Sequence, residues 1–293
     1  MTSEQDPARS FGAVAAAYER GRPGYPREAV SWLVGDEPQT VLELGAGTGK
    51  LTRELVAAGH DVHATDPDEA MLEVLREQLP GVRTSLAPAE DLQVPDRSVD
   101  VVVCAQAFHW FDLERALPQI ARVLKPTGHL ALVWNLRDER IPWVKRLGRL
   151  IGDPVTQAMD QNRPLEALAH SPLFSFVEET TFKSWQEVNR ETIVDLVASR
   201  SNVATLEPEA RQAKLEAVLA FYDDFGRGMD GMQLPYVVHC RRTQVVHQPG
   251  LFGEERAADP EGPADAADPT RAGDPHGKGT DGKGPDILLI DFR

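Results

Sequence analysis

"LELGAGTGKLT", Leu42 to Thr52, places Gly45, Gly47 and Gly49 between a short apolar strand and the first turn of a helix. A chain that reverses there, or lets a ligand approach its backbone, needs residues without a side chain. Several nucleotide binders share such a bend, and the neighbouring residues separate them. A phosphate-binding P-loop requires glycine, four residues, then Gly-Lys-Ser/Thr. Leu44 stands where the first glycine should be and Leu51 follows Lys50, so that reading fails. A dinucleotide fingerprint wants a small residue at the sixth position of the run, where Lys50 stands, which weakens that reading too.

The acidic residues point elsewhere. Glu43 lies on the strand just before the glycines, where it would repel a pyrophosphate but attract an ammonium or a sulfonium. Asp66 ends the next strand, about twenty residues on, where a carboxylate can accept both hydroxyls of a ribose. The sequence leaves a second reading of Asp66-Pro67 open, as a helix cap followed by a first-turn proline.

Outward from this loop, the first 135 residues alternate between strand and helix periods. The pattern predicts strands at 41–44, 61–65, 82–86, 99–104 and 129–134. Helices are expected at 48–58, with Thr48 as cap, and at 68–79 and 112–124. Strands alternating with helices imply parallel pairing, and ligands in such sheets bind beyond the carboxyl ends of the strands. After Trp134 the pattern is helix and loop to 172, a strand at 176–183, helices at 186–199 and 207–225, and a last strand at 236–242. Residues 137–149, "RDERIPWVKRLGR", read as the wet face of an amphipathic helix. The expected architecture is α/β: a doubly wound, mostly parallel seven-stranded sheet with a helical cap. Its parts are N-terminal lid helices at 1–38, a cofactor-binding core at 39–137, a cap with antiparallel strands at 138–246, and a disordered Gly/Pro/Ala/Asp-rich tail at 247–293.

The bulk properties narrow the function. The chain has 293 residues and 41% hydrophobic content, enough to fill a core. The formal net charge of −15 speaks against nucleic-acid partners, which need clustered Lys and Arg. The sequence contains no apolar run of membrane-spanning length, and "MTSEQDPARS" has no secretory pattern, so neither a membrane partner nor secretion is expected. The two cysteines, Cys104 and Cys240, lie in apolar surroundings, which fits a reducing cytoplasm. No His/Asp/Glu cluster has ligand spacing near these motifs, so no metal site is expected.

Taken together, Glu43 to Gly49, Asp66 and "LAPAEDLQVPDRSVDVV" (86–102) resemble the class I S-adenosylmethionine-dependent methyltransferases of the type-11 domain group. Leu86 departs from the family's usual residue in the third segment. "AAAYERGRPGYP" (15–26), "AQAFHWFD" (105–112) and "LVASRSNVATL" (196–206) resemble a subgroup that includes trans-aconitate-type enzymes acting on small molecules. The resemblance implies S-adenosyl-L-methionine held by Glu43, Gly45, Ala46, Gly47, Gly49, Asp66 and Pro67. It places Ala89 and Glu90 at the adenine, and Ala105 and Gln106 at the methionine part. It also implies a lid carrying Tyr18, Arg22 and Tyr25, and an acceptor side with Trp110, Asn135 and Arg200. Arg22 could face the methionine carboxylate or the substrate.

"AQAFHWFD" begins at the carboxyl end of the fourth strand, where the transferred methyl should point. The aromatic rings can wall off water, and His109 can take a proton from a hydroxyl or amine, or orient a carboxylate. Packing of His109 and Trp110 at the start of the following helix remains the structural alternative. The expected activity is methyl transfer to a small-molecule acceptor at oxygen, nitrogen or carboxylate, by a cytoplasmic monomer or homodimer. The rivals are a non-catalytic S-adenosylmethionine-binding protein and an NAD(P)-dependent oxidoreductase.

Overall fold

The computed structural model describes residues 15–152, 164–225 and 231–246. The expected tail at 247–293 and the first part of the expected lid lie outside these. Two helices open the described chain, α1 (Ala15–Gly21) and α2 (Arg27–Val34). The alternating region follows as β1 (Thr40–Leu44), α3 (Lys50–Ala57), β2 (Asp61–Asp66), α4 (Glu69–Gln78), β3 (Arg83–Leu86), β4 (Val99–Ala105), α5 (Leu113–Val123) and β5 (Leu124–Arg137). Beyond it come α6 (Pro142–Ile151), α7 (164–169), β6 (Glu178–Val188), α8 (Arg190–Ala198), α9 (Ser201–Ala204), α10 (Pro208–Phe225) and β7 (Met232–Gln244).

The seven strands form one sheet in the order β3-β2-β1-β4-β5-β7-β6. The strands β1 to β5 run parallel, β7 pairs antiparallel with β5, and β6 pairs antiparallel with β7. Alternation along β4 shows why the sheet is covered on both faces. Val102 and Cys104 face the layer containing α5, with Leu117 and Ile120, while Val101 and Val103 face α2 and α3, with Val30, Leu33 and Leu55. A strand buried on both faces reads as an unbroken apolar run, and each fully buried valine or leucine contributes about 1.5–3 kcal/mol.

The cap has a core of its own. Leu147 and Ile151 of α6, Ile193 and Leu196 of α8, Phe221 of α10 and Leu234 of β7 pack together away from the main sheet core. Among the described residues, no helix is long and apolar enough to cross a membrane.

Several expected boundaries move, each for a local reason. The helix expected from Thr48 starts at Lys50, because Gly49 holds φ +90° and cannot lie inside a right-handed helix. The helix expected at 186–199 starts at Arg190. Residues 186–188 stay in β6, paired as far as Val188–Met232, and Asn189 closes a capping box with Thr192. The strand expected at 129–134 extends to Leu124–Arg137. Of the segment read as a lid, α2 is a sheet-covering helix, with Ala29, Val30 and Leu33 buried beneath the strands. Among the described residues of that segment, α1 and the turn after it reach the glycine loop and the end of β5.

Candidate active site

The glycine loop is built tightly. Gly45, Gly47 and Gly49 have φ of +66°, +57° and +90°. A β-carbon on Gly45 would come 2.6 Å from Cβ of Ala107, so the loop rests against the segment leaving β4. One on Gly47 would meet only Tyr18, 3.9 Å away. Glycine at 47 therefore leaves a bare backbone facing open space beneath α1.

Asp66 organises that backbone. Its Oδ2 accepts from the Gly47 N–H at 2.8 Å and its Oδ1 from the Asp68 N–H at 2.9 Å. The cap of α4 is Asp68, which accepts from the Ala70 N–H, so the capping alternative for Asp66 is removed. Burial raises the Asp66 carboxyl to about 6 against these bonds. Glu43 is 1% exposed and accepts from the Thr52 hydroxyl at 2.6 Å. Burial, reinforced by Asp66, raises it to about 8. Two carboxylates this deep destabilise one another unless a cation or hydroxyl donors meet them.

The helix α1 is fastened from both sides. Glu19 accepts from the Thr48 hydroxyl at 2.7 Å and pairs with Arg53 at 3.0 Å and Lys50 at 3.2 Å. On the cap side, Arg20 grips Asp195 through two bonds of 2.7 and 3.0 Å, and Gln186 donates to the Gly21 carbonyl. A side chain at Gly21 would collide with the backbone of Asp195 and Leu196.

A cleft opens between these parts. Tyr18, Arg22, Pro23 and Tyr25 line it from the N-terminal segment, Lys50 and Gln106 from the ends of the loops after β1 and β4, Asn135 and Tyr236 from β5 and β7, and Arg200 from the cap. Arg22 lies 5.0 Å over the Tyr18 ring and donates to the Ser199 hydroxyl and carbonyl, each at 3.1 Å. Asn135 donates to the Gly24 carbonyl at 3.1 Å, while its Oδ1 is buried without a hydrogen-bond partner. Gln106, in the left-handed region at φ +60°, turns the chain out of β4 at the cleft.

This gathers Tyr18, Arg22, Tyr25, Gln106, Asn135 and Arg200 at one place, next to Ala46 of the loop and the strand ends that carry Glu43 and Asp66. His109 and Trp110 are not among the lining residues. Their rings lie 4.8 Å apart, tilted 41° to one another, in the turn Phe108–Trp110, with His109 half-buried and Trp110 exposed. Phe108 of the same turn is fully buried in the main core. Ala89 is buried beside it, and Glu90 accepts from the Asp112 N–H at 2.7 Å, tying the segment after β3 to the start of α5. Pro67 and Ala105 flank the loop ends, both partly buried.

Residues 42–132 match the methyltransferase domain model. An uncharacterised methyltransferase of Mycobacterium tuberculosis is 44% identical over 250 residues, covering 83% of this chain and 99% of its own. One from Schizosaccharomyces pombe is 37% identical, covering 72% and 87%. The chain belongs to the class I methyltransferase family. Among solved structures, a candidate type II methyltransferase from Anaeromyxobacter dehalogenans superposes with a TM-score of 0.52 at 26% identity, covering 76% of this chain and 97% of that one. A candidate methyltransferase of antibiotic biosynthesis from Anabaena variabilis shares the fold, with a TM-score of 0.54 at 22% identity, covering 73% of this chain and 95% of its own.

In this methyltransferase the sequence reading missed Glu19, Arg137 and Tyr236 as parts of the site. Glu19 stands inside the quoted "YERGRP", and its position between Tyr18 and Arg20 was the available signal. Arg137 and Tyr236 meet only because β5 and β7 pair in the register Arg137–Tyr236, which no local pattern reveals. Lys50, which weakened the dinucleotide reading, here lines the cleft.

Proposed function

We propose that this protein transfers a methyl group from S-adenosyl-L-methionine to a small-molecule acceptor. The observation that carries the reading is the pairing of a bare, positive-φ glycine loop with two buried carboxylates whose burial favours a cationic, hydroxyl-bearing ligand. When bound, S-adenosyl-L-methionine would supply an already activated methyl on a sulfonium. The chain's own residues have four tasks there.

Asp66 retains lone pairs for ribose hydroxyls beyond its two backbone bonds. Glu43, held by Thr52, supplies negative charge at the loop. The loop from Gly45 to Gly49 allows close approach to its backbone. Tyr25, buried, and Tyr18, half-buried, wall the cleft against water, so that an acceptor held in line would need little further help. A pyrophosphate-bearing dinucleotide suits this loop poorly, because an ionised Glu43 would oppose it and Lys50 stands where the fingerprint wants a small residue.

His109, outside the residues that line the cleft, is proposed to take a proton from the acceptor or to orient it. General-base help of this kind is worth about a hundredfold or more. The test follows release of S-adenosylhomocysteine with a panel of acids, phenols and amines. The wild-type chain is expected to turn over at least one acceptor. His109→Ala should turn it over about a hundredfold more slowly, with affinity for S-adenosylhomocysteine within about twofold. Unchanged turnover would remove His109 from the chemistry.

A further inference from the structure

We propose that the acceptor carries a neutral hydroxyl, and that Asn135 selects for it by offering the lone pairs of its side-chain oxygen, with the Tyr236 oxygen as a second partner. This rests on the reading of the cleft as a methyltransferase site, and names the chemical group that enters it.

The two residues share one face of the sheet. Asn135 on β5 is opposite Val238 on β7, and Tyr236 stands two residues from Val238, which makes the side chains diagonal neighbours. Both line the cleft, and both are buried, Asn135 being 9% exposed.

Their polarity is set by groups that can only accept. Asn135 donates through Nδ2 to the Gly24 carbonyl at 3.1 Å, which fixes which end of the amide is nitrogen and leaves the oxygen to face elsewhere. That oxygen is buried without a hydrogen-bond partner. A buried acceptor left unpaired is costly, and an arriving donor relieves it. Gln186 fixes Tyr236 in the same way. Its Nε2 donates to the Gly21 carbonyl at 2.8 Å, so its Oε1 accepts from the Tyr236 hydroxyl at 3.1 Å. With its proton given to Gln186, the Tyr236 oxygen can only accept from a guest. Two neighbouring strands therefore present two acceptors, and the guest has to bring the donor.

Charge and geometry narrow that donor. No Asp or Glu is among the described lining residues, whereas Arg22, Lys50 and Arg200 are, so a neutral donor suits the cleft better than an ammonium. A hydroxyl also accepts, so its oxygen can take a bond from a cation of the lining, which an amide N–H cannot. Position separates it from the methyl donor. The glycine loop and Asp66 follow β1 and β2, whereas β5 and β7 lie two and three places beyond β1 in the sheet, away from β2. At about 4.8 Å per strand these are about 10 and 14 Å off, on the acceptor's side.

The probes are phenol, catechol and cyclohexanol, each beside the compound with fluorine in place of hydroxyl, which keeps the shape and cannot donate. Affinities come from the rise in melting midpoint of the chain saturated with S-adenosylhomocysteine. At least one hydroxyl compound should bind at least about tenfold more tightly than its fluoride. Asn135→Leu should bring that ratio down to about one through loss of the hydroxyl compound alone, whereas a structural fault would weaken both members of the pair alike. Calorimetry should find the affinity of Asn135→Leu for S-adenosylhomocysteine within about twofold of the wild-type value.

If no hydroxyl compound outperforms its fluoride on the wild-type chain, the inference is overturned without recourse to the variant. It is overturned as well if Asn135→Leu keeps the ratio, or if that variant loses affinity for S-adenosylhomocysteine, which would give the oxygen to the ammonium of the methionine part. Absence of S-adenosylhomocysteine binding by the wild-type chain would instead sink the methyltransferase reading itself.

Discussion

Glu43 is a single side chain whose charge state would couple to a cation bound at the loop. In the ligand-free protein burial holds it at about 8, against a usual value of 4.5, so it carries a proton at neutral pH. The folded chain thus binds more protons than the unfolded chain between these values, and this group's contribution to stability falls as pH rises through that window. A cation at the loop favours the ionised form, so its binding expels the proton. Affinity for S-adenosyl-L-methionine should therefore rise with pH, approaching about tenfold per unit below 8, and flatten above it. Calorimetry from pH 6.5 to 9 checks this, and Glu43→Gln should bind more weakly with a flat profile. A wild-type profile as flat as the variant's would separate Glu43 from the ligand. At this scale the sequence was informative: charge and glycine spacing singled out Glu43, Gly45 and Asp66 before any fold was known. It could not show that Asp68, rather than Asp66, caps α4, because two aspartates two residues apart satisfy the same cap pattern.

Among the elements, α1 links the two halves of the site. Glu19 ties it to the start of α3 through Thr48, Lys50 and Arg53, and Arg20 ties it to α8 through Asp195. The Arg20 pair is largely exposed on one side and counts for little. Glu19 is better shielded and gathers several donors, so it is the fastening that matters. Glu19→Ala should raise hydrogen exchange over residues 15–22 and weaken S-adenosylhomocysteine binding by about tenfold, a loss of about 1.4 kcal/mol. Unchanged exchange and affinity would show that α1 is held by the cap alone. The strands and helices up to β5 were legible because each is an apolar run or stripe closed by its own turn. The fastening was not, since Glu19 meets Thr48 and Arg53 29 and 34 residues on, and Arg20 meets Asp195 175 residues on, contacts that only the assembled fold makes. The same limit moved the start of α8: residues 186–188 alternate too weakly to announce a strand, and their pairing with β7 decides the matter.

At the scale of the molecule, a mostly parallel sheet sets the glycine loop and the cap on the same side of the strand ends, and the cleft is where they meet. The order β3-β2-β1-β4-β5-β7-β6 makes this possible, because β1 and β4 are neighbours and their following loops touch at Gly45 and Ala107. The mostly parallel sheet was inferable from the alternation, whereas the strand order and the Arg137–Tyr236 register were not. The central claim is that this end of the sheet holds S-adenosyl-L-methionine through Asp66 and the loop. Titration of the purified chain with S-adenosylhomocysteine in a calorimeter tests it most directly. Saturable one-to-one binding is predicted, weakened at least about tenfold in Asp66→Ala. No heat of binding in the wild-type chain, or equal affinity in the variant, would contradict it.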